Sequence, residues 1–91
     1  MGTLAIKIKL MPTSPEVNLE EIKEKAKEVI ASKEGKNCFF EEEPIAFGLK
    51  AIIAIFTLDE KTGDSDGVEK TLSEIEHVNS SQIIDMRRGF G

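Results

Sequence analysis

Tryptophan and tyrosine are absent from this sequence, and cysteine and histidine occur once each. Without Trp or Tyr, the core has to be built from Ile, Leu, Val and Ala around five Phe. The lone cysteine, Cys38, excludes an internal disulfide and makes a reducing cytoplasm the expected compartment. Its neighbours Phe39 and Phe40 favour a buried structural thiol over a nucleophile. The lone histidine, His77, falls at an expected helix end, where the dipole favours a capping ring over a general base. No Cys/His cluster has metal-ligand spacing, and neither a GxGxxG nor a GK[ST] motif occurs. No catalytic residue, metal or cofactor is therefore expected, and the chain does not read as an enzyme. Long apolar runs are also missing near the start, where Lys7 and Lys9 interrupt the sequence, so neither a signal peptide nor a membrane span is expected.

Positive charge is in deficit. Twelve basic residues against 17 acidic ones leave a net charge of −5, which argues against direct nucleic-acid binding, whose affinity comes from neutralised phosphates. The excess acidity serves either solubility or encounter with a partner that has a basic surface.

The 91 residues, 40% hydrophobic and 32% charged, suit one domain spanning 1–91. Leu4, Ile6, Ile8 and Leu10 alternate with Ala5, Lys7 and Lys9, a strand with one buried face that Met11-Pro12-Thr13-Ser14-Pro15 should end. Asn18 and Glu21 form a capping-box pair ahead of Leu19, Ile22, Ala26, Val29 and Ile30, which have helical spacing to about Ser32, before Gly35. Residues 37–43 read as a short strand closed by Pro44. The run 49–58 is apolar on both alternating sets, as a mid-sheet strand should be. Residues 59–67 read as a loop, with Ser65 or Asp66 capping a second helix that carries Val68, Leu72 and Ile75 and ends at 77–81. A last strand is expected over 81–86, followed by a short basic tail from Arg87 to Gly91. The order β-α-β-β-α-β predicts an α+β ferredoxin-like sandwich, a four-stranded antiparallel sheet with both helices on one face and the first and third strands central.

Few residues are left to carry function. Asp59, Asp64 and Asp66 lack the alternation and the distal Glu of a calcium loop and read as a solvated loop. Glu41-Glu42-Glu43 suits an edge-strand guard or part of an acidic docking patch. Phe47, at the junction before the third strand, either folds back to cap the sandwich or projects as a partner contact. Arg87-Arg88 is either a solubilising tail or a functional cationic pair.

The opening strand with Met11-Pro12-x-Ser14-Pro15, the block Glu42-Glu43-Pro44-Ile45-Ala46-Phe47-Gly48-Leu49, the segment Leu72-Ser73-x-Ile75-Glu76 and the closing Asp85-Met86-Arg87-Arg88 together resemble the archaeal elongation factor 1-beta family. Its members are guanine-nucleotide exchange factors for the GTPase elongation factor 1-alpha. The resemblance covers nearly the whole chain, and Pro44 to Leu49 is its most specific part. It implies a cytoplasmic exchange domain, monomeric when free, that docks on the GTPase and disturbs its magnesium and phosphate site, so that GTP replaces GDP and aminoacyl-tRNA can bind again. By position it assigns Phe47 a wedge role, with Pro44, Ile45 and Gly48 around it. It assigns Arg88, with Arg87 as the alternative, an approach to the magnesium site. The eukaryotic relatives carry lysine there, a point charge rather than a planar fork. An alternative on the same sandwich is a small-molecule-sensing regulatory domain. An RNA-recognition module would need exposed aromatics on the central strands and a basic face, which the sequence does not offer.

Overall fold

The computed structural model describes residues 2–61 and 63–90. Met1, Gly91 of the expected tail and Thr62 of the expected 59–67 loop lie outside the described residues. The elements are β1 (Gly2–Pro12), α1 (Leu19–Ser32), β2 (Lys36–Pro44), β3 (Lys50–Asp59), α2 (Ser65–Ser73) and β4 (Val78–Phe90). Period-2 patterning on β1 buries Ile6, Ile8 and Leu10, while the alternating Ala5 and Lys7 stay exposed and Lys9 is half-buried. Ile52, Ala54, Phe56 and Leu58 of β3 lie beside them, and Ile22, Ala26 and Ile30 of α1 and Val68 and Leu72 of α2 close the same core. Each of the large side chains contributes roughly 1.5–3 kcal/mol by leaving water.

The sheet order is β2-β3-β1-β4, with every neighbouring pair antiparallel. With both helices against one face, this is the ferredoxin-like α+β sandwich, and β1 and β3 are central as expected. On the other sheet face, Ala51 and Ile53 of β3 are also buried. Their cross-strand neighbours Glu43, Glu41 and Lys9 flank them with long side chains, and Lys9 Nζ pairs with Glu43 at 3.6 Å.

Asn18 caps α1, its side-chain oxygen accepting from the Glu20 N–H at 3.0 Å. The helix ends in a Schellman-type turn. Gly35 N–H donates to the Ile30 carbonyl and Glu34 N–H to that of Ala31, with Glu34 itself in the left-handed region at φ 66.

Several expectations need correction. The cap of α2 is Asp64, whose Oδ1 accepts from Gly67 N–H at 3.0 Å, not Ser65 or Asp66. This helix ends at Ser73, so His77 is no helix cap. It sits at φ 73 in the turn into β4, where its carbonyl accepts from Thr13 N–H at 2.9 Å. Cys38 is half-buried rather than buried, and its desolvation pushes the thiol pKa up against a smaller opposing influence of Lys27. The largest correction concerns the last strand. β4 begins at Val78 and runs to Phe90, so Arg87 and Arg88 are not a tail but ladder residues opposite Ala5 and Leu4. Lys7 pairs with Asp85 and Ile8 with Ile83, leaving Ile84 as the extra residue of a bulge. Glu69 of α2 pins this bulge, its Oε2 accepting from Ile83 N–H at 2.7 Å.

Glu42 ties β2 to α1 through Lys23 Nζ at 2.7 Å. The hydrogen bond from Lys23 holds the Glu42 carboxyl below the ordinary glutamate range, and its bonds to Glu42 and Glu20 raise Lys23. A lowered folded-state pKa stabilises the fold above the unfolded value and ceases to as pH falls through the lowered one. The Glu42 contribution is therefore complete at neutral pH and vanishes only on the acid side. An NMR titration should place the Glu42 midpoint below that of a free glutamate, and Lys23→Met should return it to the ordinary range.

Candidate functional site

Pro44 and Lys50 form the last cross-strand pair of the β2–β3 hairpin, and residues 45–49 make its loop. Ile45 N–H donates to the Leu49 carbonyl at 2.7 Å, and Leu49 N–H to that of Ala46 at 3.3 Å. Between them Phe47 has φ 63 and ψ 29, and Gly48 has φ 78. Positive φ at both central positions is the signature of a type I′ turn, which fits the right-handed twist of a hairpin and ordinarily selects Asn-Gly or Gly-Gly. Gly48 meets that demand without strain. Phe47 does not: a left-handed conformation costs an L-residue with a large side chain about 1–2 kcal/mol.

That strain gains no burial. Phe47 is 94% exposed, so the ring does not fold back to cap the sandwich. Pro44 and Gly48 beside it are exposed and Ile45 is half-buried. The turn approaches the β1–α1 connection, with Pro12, Ser14, Pro15, Val17, Leu19, Gly48 and Lys50 bordering a cleft of about 200 Å³. Strained backbone and an exposed aromatic ring coincide at one residue, a combination found where a side chain is held ready for contact.

Arg87 and Arg88 occupy the other end of the sheet. Leu4 pairs with both Leu58 and Arg88, so the run of β3 from Lys50 to Leu58 separates the two regions by about 26 Å at ~3.3 Å per residue. The structure therefore does not bring Phe47 and the arginines together; they mark opposite ends of a body whose longest extent is 42 Å. As consecutive strand residues, the two arginines also face opposite sides of the sheet. Arg87 Nε lies 3.2 Å from Oδ2 of Asp85 and Arg88 Nε lies 2.9 Å from Oε1 of Glu60. Neither carboxylate partner is among the site residues the sequence singles out. The i,i+2 spacing of Asp85 and Arg87 signals a same-face pair once that segment is known to be a strand. Glu60 and Arg88 are too far apart in sequence to leave a local signal.

Asp64 is occupied as a helix cap, and Asp59 Oδ1 accepts from Lys61 N–H at 2.7 Å. Of the acidic triplet, Glu42 and Glu43 are engaged in ion pairs within the domain.

Residues 5–88 match a family described as the EF-1 guanine nucleotide exchange domain. The chain is 42% identical over 86 residues to a protein named elongation factor 1-beta from Methanocaldococcus jannaschii, covering 94% of this chain and 97% of that relative. It is 40% identical over 88 residues to the elongation factor 1-beta of Methanosarcina acetivorans, covering 97% and 99% of the two chains. A Methanococcus maripaludis protein of the same name is 36% identical over 86 residues, covering 94% and 97%.

Proposed function

The chain belongs to the EF-1 guanine nucleotide exchange domain family, and from that premise we propose that it promotes exchange of GDP for GTP on the GTPase elongation factor 1-alpha. It acts as a single domain in the cytoplasm, monomeric when free, through contact rather than covalent chemistry. The observation that carries this reading is Phe47, which is held in a left-handed turn and almost fully exposed. An anchor of this kind reaches its favourable state only when a partner's apolar pocket takes the ring.

Phe47 makes the wedge contact, and Pro44, Ile45 and Gly48 fix the turn that presents it. Arg88, with Arg87 as the alternative, brings positive charge to the magnesium site of the GTPase. Magnesium links the nucleotide phosphates to the GTPase, so an intruding cation weakens its hold and with it the hold on GDP. The exchange domain has to bind the nucleotide-free state more tightly than the GDP-bound state, and the difference between those affinities sets the acceleration. The separation of Phe47 from the arginines makes docking a two-point contact along the length of the sandwich.

Arg88→Ala is expected to slow promoted GDP release about tenfold, the effect of losing one charge-assisted contact of ~1.5 kcal/mol. Arg87→Ala, on the other sheet face, should change it less than twofold. Release of a fluorescent GDP followed by stopped flow measures both. The reverse ranking would transfer the role to Arg87, and unchanged rates in both would remove the arginines from the site.

A further inference from the structure

Arg88 is not free at the end of the sheet. Its Nε lies 2.9 Å from Oε1 of Glu60, which stands in the turn just after β3. β1 lies between those two strands, so the Glu60 side chain has to cross β1 to reach β4. It crosses at Gly2. A Cβ added to Gly2 would collide with the Glu60 carboxylate, meeting Oε2 and Cδ. The backbone fixes the base of the same arm, because Glu60 N–H donates to the Gly2 carbonyl at 2.9 Å. A residue without a side chain, a hydrogen bond that anchors the turn, and an ion pair at the far end thus form one continuous arrangement across three strands. Arg87 has no share in it, since its guanidinium is on the opposite face with Asp85.

We infer that Glu60 is a positioning residue that restrains Arg88: in the free domain it holds the guanidinium along the sheet end, and it has to let go before Arg88 can serve an anionic site on a partner. This rests on the exchange reading above. While the pair is closed, the carboxylate offsets the positive charge that Arg88 would deliver. The side chains are 75% and 29% exposed for Arg88 and Glu60 respectively, so water and salt weaken the pair and the restraint amounts to a few-fold. A brake of that size holds the side chain against stray anions yet opens readily on docking.

Two variants remove the restraint by independent routes. Glu60→Gln abolishes the carboxylate charge. Gly2→Val leaves Glu60 chemically intact and obstructs its path, and only the far end of a flexible side chain has to move. At sub-saturating factor, each is expected to speed GDP release from elongation factor 1-alpha about two- to fivefold. Both gains should vanish in an Arg88→Ala background. If the unmodified chain accelerates release and Arg88→Ala slows it, yet Glu60→Gln and Gly2→Val leave the rate unchanged or lower it, the restraint is overturned and the exchange reading stands. Failure of the unmodified chain to accelerate release overturns the exchange reading instead, and the restraint is then judged on the Arg88 Nε–H resonance. A distinct, slowly exchanging signal in the unmodified chain that is lost in both variants supports it. The same signal in all three proteins overturns it.

Discussion

Phe47→Ala is expected to slow promoted GDP release about thirtyfold or more while leaving the domain as stable as before. The size follows from the proposed wedge contact, since losing an aromatic interface anchor costs about 2 kcal/mol or more. Stability should stay within about 0.5 kcal/mol, because a side chain that is 94% exposed makes little contact to lose. The left-handed turn permits a sharper version. Asparagine tolerates φ near 63 far better than phenylalanine, so Phe47→Asn should relieve about 1 kcal/mol of strain and raise the melting midpoint by ~4–8 °C. The same variant should lose exchange as Phe47→Ala does. A gain in stability accompanied by a loss of exchange would mark a residue kept for its partner at the expense of its own fold. Thermal unfolding and stopped-flow release on the two variants check both halves. A fall in melting midpoint with Phe47→Asn would make the ring structural, and unchanged release would take it out of the contact.

The sequence makes β1 and β3 legible because their pattern is simple. Leu4 to Leu10 alternate cleanly, and the run from Leu49 to Leu58 is apolar on both sets, so centrality in the sheet follows. Asn18 is equally legible, since a cap acts on backbone groups two residues away. β4 is not, for two physical reasons. The extra residue Ile84 shifts the side-chain phase halfway along, so no single alternation runs through the strand. After Val78 its first residues are Asn79, Ser80 and Ser81, polar residues on an edge strand that a helix end would use equally well. As a result, Arg87 and Arg88 read as a tail although β1, beginning at Gly2, supplies them with ladder partners.

The candidate site divides in the same way. Phe47 can be singled out from residue type and position, but those features favour burial slightly over projection, and the structure reverses that order. The backbone decides between them: positive φ at Phe47 and Gly48 turns the ring outward, and nothing in Ala-Phe-Gly announces a turn that ordinarily asks for Asn or Gly at its first central position. Glu60 was illegible altogether, because its reach to Arg88 depends on a strand lying between them and on Gly2 leaving that strand bare. Local propensity carries local geometry, whereas contacts across the sheet become visible only once the strands are in register.

Phe56→Ala should have the opposite signature to Phe47→Ala. Phe56 is 1% exposed and is foremost among the fully buried side chains; it stands opposite Ile6 on β1 and close to the turn at Gly35. Truncation removes its transfer free energy and leaves a cavity that the surrounding Ile and Leu cannot fill, a loss of about 3–5 kcal/mol. A domain of this length has only about 5–14 kcal/mol to lose at 0.05–0.15 kcal/mol per residue. The melting midpoint should therefore fall by roughly 15–30 °C. The variant should nevertheless promote GDP release at the unmodified rate when assayed well below its new midpoint, because Phe56 is packed in the core and is no part of the proposed contact at Phe47 and Arg88. An unchanged midpoint would mean that the core does not depend on this ring. A selective loss of exchange in folded Phe56→Ala would mean that β3, which joins the two ends, transmits core packing to the proposed contact residues. On the proposed reading, the same substitution at two phenylalanines of one hairpin should separate partner contact from fold stability, one through the rate and the other through the melting curve.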